Sequence, residues 1–141
     1  MLPSFPDMLT QLVAEPSVSS TSPDIDRSNL RVIEHLANWL NDLGFRTDIM
    51  PLPNRPDKAN LIATLGGEVN DGMGGLVLAG HTDTVPFDEA LWQSDPFTVK
   101  DPQDRYYGLG SCEMQGLFPD PIEAGATFSR QPLPAPLTLG A

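Results

Sequence analysis

The run Leu76-Val77-Leu78-Ala79 leads directly into Gly80-His81-Thr82-Asp83-Thr84-Val85-Pro86. Four apolar residues of this kind predict a buried strand, and a strand that stops at Gly80 delivers the His81 imidazole to the carboxyl edge of a sheet. Open α/β folds place their ligands there. Asp83, two residues on, is within reach of the ring nitrogen that faces away from such a site. A carboxylate in that position fixes the tautomer and raises the basicity of a metal-bound histidine. The same triplet also fits an ordinary turn, with Asp83 capping a helix and His81 half exposed. A zinc site needs three or four ligands, and one histidine supplies one.

The 141 residues, 40% of them hydrophobic, suffice for one domain with a real core. Fifteen prolines cluster at the two ends and in Pro51 to Pro56, which predicts loops there. A formal net charge of −11 argues against nucleic acid and anionic membrane surfaces as partners. Acidity also suits a cationic small substrate or a divalent metal, although solubility alone accounts for it. The single cysteine, Cys112, excludes an internal disulfide framework, fits a reducing compartment, and reads as a small buried hydrophobe rather than a nucleophile. Met1 to Asp7 lack the basic start and long apolar stretch of a secretion signal, and no segment approaches the roughly 18 apolar residues of a membrane span. A cytoplasmic location is the expectation.

Ser4 and Asp7 make a capping-box-like start to an amphipathic helix bearing Phe5, Met8, Leu9, Leu12 and Val13, which Pro16 stops after about Glu15. A second helix is predicted from Ser22 as cap and Pro23 as first residue, with Asp24 and Asp26 in its first turn. Leu30, Ile33, Leu36, Ala37, Leu40 and Leu43 form its apolar stripe, and Gly44 ends it. His35 lies beside the stripe and reads as structural or surface, with no carboxylate constellation around it. Strands are predicted at Phe45 to Met50, Asn60 to Leu65 and Leu76 to Ala79, the first two separated by a loop from Pro51 to Asp57. A Gly-rich turn spans Gly66, Gly67, Gly72, Gly74 and Gly75, and a hairpin pairs Phe97–Val99 with Tyr106–Tyr107 through a turn at Asp101-Pro102. This order predicts an α/β fold with a mixed sheet and flanking helices.

Tyr107-Gly108-Leu109-Gly110-Ser111-Cys112-Glu113-Met114-Gln115-Gly116 follows the hairpin. A phosphate-loop reading of Gly108-Leu109-Gly110 fails, because the third glycine is absent at the required spacing. Taken with Gly80 to Pro86 and Trp92-Gln93-Ser94-Asp95-Pro96-Phe97, the segment closely resembles the acetylornithine deacetylase and succinyl-diaminopimelate desuccinylase family of metal-dependent amidohydrolases. The three blocks come in that family's order and at about its spacing. Gly108-Leu109-Gly110 and Ser111-Cys112 look more like the acetylornithine deacetylase branch. The resemblance covers the amino-terminal part of the family's catalytic domain, roughly residues 1–118, with a divergent proline-rich tail at 119–141.

What the resemblance implies is an incomplete portion of a two-zinc, exopeptidase-like domain, cobalt replacing zinc in some members, in which a bridging water attacks an amide carbonyl. On the matching positions His81 is a ligand of one metal, Asp83 the catalytic residue that orients it, and Glu113 the carboxylate bridging both ions. The implied substrate is a small acyl amino acid, N-acetylornithine, split into ornithine and acetate in arginine synthesis. Family members often pair through a separate small domain that this chain lacks.

Three departures bear on that expectation. The family has aspartate where Glu113 stands, and the extra methylene moves the carboxylate by on the order of an ångström. Gln115 replaces a lysine, removing a cation near the site. Pro119, Pro121 and Gly125 predict a broken or shortened helix after it. Leu137 to Ala141 resembles the start of the strand that precedes the family's catalytic Glu-Glu pair. The rival to a working deacetylase is therefore an inactive relative that binds metal or protein weakly. A third possibility is an interaction module that uses an unpaired sheet edge.

Overall fold

The computed structural model describes residues 1–67, 74–100 and 105–141. Gly72 of the predicted Gly-rich turn and the Asp101-Pro102 turn lie outside them. Three helices, α1 (Phe5–Val13), α2 (Leu30–Asp42) and α3 (Pro119–Phe128), accompany four strands, β1 (Arg46–Leu52), β2 (Arg55–Leu65), β3 (Leu76–Ala79) and β4 (Leu137–Gly140). The strands form one mixed sheet in the order β1-β2-β4-β3, antiparallel except for the parallel pair β3 and β4. The α/β fold expected from element order is the fold observed. Among the described residues no helix is long and apolar enough to cross a membrane.

α1 starts as predicted. The Asp7 N–H donates to Ser4 Oγ at 3.4 Å, and the Ser4 hydroxyl donates to the Asp7 carboxylate at 2.6 Å. Met8, Leu9, Leu12 and Val13 are its buried side. α2 begins at Leu30 rather than at Pro23, and the reason is competition for the intervening residues. The N–H groups of Ile25 and Asp26 both donate to Ser22 O, and Arg27 N–H donates to Val18 O at 2.8 Å, which turns the chain instead of winding it. The buried Asp26 carboxylate accepts from Lys58 Nζ at 2.7 Å and pairs with Arg55, both on β2. Val32 and Trp39 join Ile33, Leu36, Ala37 and Leu40 on the buried face, so the stripe is wider than predicted, whereas Leu43 falls past the helix end. Gly44 closes α2 with a positive φ, as expected. His35 is not free of carboxylates: its Nε2 lies 3.5 Å from Glu15, and its ring packs on Trp39.

The predicted loop from Pro51 to Asp57 is largely paired. β1 and β2 form a hairpin with Leu52 opposite Arg55 and a register shift between Pro51 and Leu52. Prolines fit here because β1 is an edge strand and an irregular register relieves the missing N–H. Among the described residues, the second predicted hairpin is represented by one antiparallel bridge between Lys100 and Tyr107.

α3 corrects another expectation, since it runs unbroken through Pro119, Pro121 and Gly125. Both prolines sit in the first turn, where the amide donors have no intrahelical partner anyway. Gly125 lies against the Phe45 ring, which a β-carbon would crowd at 3.1 Å. Residues 119–141 are thus built into the fold: Ile122, Leu137 and Leu139 share one core with Met8, Leu12, Ile33, Leu36, Leu40, Phe45, Leu61, Ala63 and Phe118.

The strand predicted as buried, β3, is exposed along its whole length. Register explains this. Leu76 and Leu78 stand opposite Leu137 and Leu139 on the helix-covered face, yet β3 lies at the end of the sheet beyond the cover of α2. Leu76 is 59% and Val77 64% exposed.

Lys58 and Arg55 hold the Asp26 carboxyl far below the usual carboxylate range, and Arg55 does the same to Asp57 to a lesser degree. A lowered folded value means the stabilisation is present above the unfolded value of 3.8 and is lost as pH falls through the folded one. Urea midpoints are therefore expected to drop as pH falls below about 4. Asp26→Asn should flatten that slope while lowering the midpoint at neutral pH.

Candidate metal centre

β3 ends at Ala79, and Gly80 N–H donates to Gly140 O at 3.0 Å, so sheet pairing fixes the backbone up to the residue before His81. Past the strand, His81 N–H donates to the Met114 sulfur at 3.3 Å. Thr84 N–H donates to Ser17 O, and Ser19 N–H to Thr84 O, tying the 82–84 loop to the segment after α1. Glu113 stands on a separate loop, before the 3₁₀ turn Gln115–Leu117. Gly116 is required there, because a β-carbon would come within 1.9 Å of Ser111 O. Cys112 is exposed on the outside of this loop, against the expectation of a buried thiol.

These loops bring the three predicted residues together. His81 Nε2 lies 2.9 Å from Glu113 Oε1. His81 Nδ1 lies 3.0 Å from the Asp83 carboxylate and 3.0 Å from the Asp83 carbonyl oxygen. In the imidazolium form both ring N–H groups donate to oxygen. That raises the His81 pKa above 6.5, Glu113 contributing most, and partial burial opposes the rise. With a raised folded value, this stabilisation is full below the unfolded pKa and disappears as pH climbs through the folded one. Glu113→Gln is expected to lower the His81 titration midpoint, followed through the imidazole C–H resonances by NMR. A midpoint that stays put would show the contact to be electrostatically idle.

The donor set fits a cation. Two ligands about 2.1 Å from a shared tetrahedral ion stand about 3.4 Å apart. Opening the 2.9 Å contact by about half an ångström would let an ion take the place of the Nε2 proton. Among the described residues no group of three or more His, Cys, Asp and Glu side chains could hold a metal. Beside His81 lies a cavity of about 230 Å³ whose polar lining includes Asn29, Lys58, Asn60 and Asp83.

Further polar side chains support this pair. Gln115 is buried, and Asn29 Nδ2 donates to Thr82 Oγ1 and to Ala59 O, both at 2.8 Å. Their partners are 30 or more residues away, so no local pattern announces them.

Residues 77–139 match the model of Peptidase family M20/M25/M40. The chain is similar to acetylornithine deacetylases. It is 49% identical to that of Pasteurella multocida (strain Pm70) over 98% of this chain and 35% of the relative. It is 51% identical to that of Edwardsiella ictaluri (strain 93-146) over 83% of this chain and 30% of the relative. The fold matches an M20 family metallo-carboxypeptidase, Sso-CP2 from Sulfolobus solfataricus, with a TM-score of 0.77 at 18% identity, over 99% of this chain and 30% of that one. The chain spans about a third of the length of the curated relatives it matches. The family resemblance drawn from the three motif blocks therefore holds, and it extends past residue 118 into α3 and β4.

Proposed function

We propose that this chain is the portion of a metal-dependent amide hydrolase that holds a cation through His81 and Glu113, with Asp83 orienting His81. The observation that carries the reading is the imidazole held between two carboxylates, Asp83 at 3.0 Å on one nitrogen and Glu113 at 2.9 Å on the other. Zinc is the proposed ion, with cobalt able to replace it, since imidazole and carboxylate donors suit both. When bound, the ion would polarise an amide carbonyl and acidify a water. Asp83 accepts a hydrogen bond from Nδ1–H, which leaves Nε2 free to ligate. The proposed substrate is N-acetylornithine, cleaved to ornithine and acetate in cytoplasmic arginine synthesis; the similarity to acetylornithine deacetylases supports it. The cavity beside His81 has room for a small acyl amino acid.

Two protein ligands fall short of the three that a catalytic zinc usually keeps, and among the described residues no larger group of metal-ligating side chains stands at the pair. For the 141-residue polypeptide by itself the proposal is therefore zinc binding with little turnover. Equilibrium dialysis against zinc followed by a deacetylation assay on the same sample tests both parts. Zinc bound without turnover is the expected result, and no zinc bound by folded protein would refute the site.

The exposure of β3 favours a second reading, self-association through the sheet edge. Leu76, Val77 and Leu78 carry no charge, proline or cover of the kind that protects edges, and an apolar groove of about 340 Å³ runs between Leu78 and α3. Concentration-dependent, zinc-independent dimerisation in sedimentation experiments is expected, and Val77→Lys should suppress it. A chain that stays monomeric at high concentration would remove this reading.

A further inference from the structure

We propose that Gln115 is a positioning residue for the His81 and Glu113 pair, clamping the loop that carries Glu113 to the loop that carries His81 and Asp83. Gln115 is 1% exposed and lies two residues from Glu113. Its Nε2 donates to Ser17 Oγ at 2.8 Å and to Thr82 O at 3.2 Å, and the Ser17 hydroxyl donates to the same Thr82 carbonyl at 2.6 Å. Thr82 is the residue between His81 and Asp83, and its hydroxyl accepts from Asn29 on the other side. One side-chain amide therefore joins three chain segments, those of Ser17, of Thr82 and of Glu113.

A side chain placed merely to fill space would not need donors. Methionine occupies a similar volume without them, so it keeps the packing and cuts the clamp. Lysine, whose ammonium lies one bond further along an unbranched stem, keeps donors for the same two acceptors. The two substitutions separate packing from clamping.

The test uses the full chain with histidine labelled at its ring nitrogens and no metal, with Glu113→Gln as the reference for a broken contact. At fixed pH, Gln115→Met is expected to move the His81 ring signals toward those of Glu113→Gln, while Gln115→Lys leaves them near wild type. Zinc affinity, which rests on the reading above, should weaken about tenfold or more in Gln115→Met and stay within about threefold in Gln115→Lys. If Gln115→Met does not fold, Ser17→Ala removes one acceptor and should shift the same signals in the same direction. A folded Gln115→Met with wild-type ring signals, or equal shifts in Met and Lys variants, would overturn the proposal. If wild type binds no zinc, the cation site fails, and the ring signals alone decide the clamp.

Discussion

His81→Ala is expected to reduce zinc binding by on the order of a hundredfold or more, to the level of nonspecific surface carboxylates. Loss of the imidazole removes one of two protein donors and leaves Glu113, which is largely exposed, as a lone carboxylate with no fixed geometry. Asp83→Ala should cost less, about ten- to a hundredfold, because it frees the ring to rotate and removes a proton acceptor without deleting a ligand. Equilibrium dialysis of the three proteins side by side checks the ranking. Equal affinities for wild type and His81→Ala would place the metal elsewhere. His81 is exposed enough that neither change should disturb folding, and far-UV circular dichroism provides that control.

Ile122→Ala is expected to destabilise the chain by roughly 2–5 kcal/mol. Ile122 is fully buried in the core shared by α1, α2, α3 and the sheet. The stability of a domain this size is typically about 5–15 kcal/mol, so the loss is a large share of it. Few neighbours can close the void, because α3 already meets Phe45 tightly at Gly125. The urea midpoint should fall with an unchanged slope. A loss below about 1 kcal/mol would mean that α3 is not anchored as described. The consequence reaches the site, since α3 begins just after the 3₁₀ turn that follows Glu113.

Local patterns announced what local forces decide. The cap at Ser4, the stripe of α2, its end at Gly44 and the apolar run of β3 all depend on residues within a few positions of one another. Where distant groups compete, the pattern misleads. The start of α2 was lost to Lys58 and Arg55, which draw Asp26 away from a helical first turn. β3 carries the composition of an interior strand but sits at an edge, because nothing in the described chain covers it. Pro121 has the look of a helix breaker, yet its position in the first turn of α3 makes it harmless.

The site divides in the same way. His81 and Asp83 are visible as a pair because a single residue separates them, whereas Glu113, 32 positions from His81, is reachable only through resemblance. Gln115, Ser17 and Asn29 hold the loops through contacts that cross the chain, and only the folded arrangement reveals them.

The most direct test of the central claim is X-ray absorption at the zinc edge of the zinc-loaded wild-type chain. One imidazole and oxygen donors at about 2.0–2.2 Å are predicted, with the imidazole signal absent in His81→Ala. A zinc shell without histidine in the wild type, or one unchanged by the substitution, would contradict it.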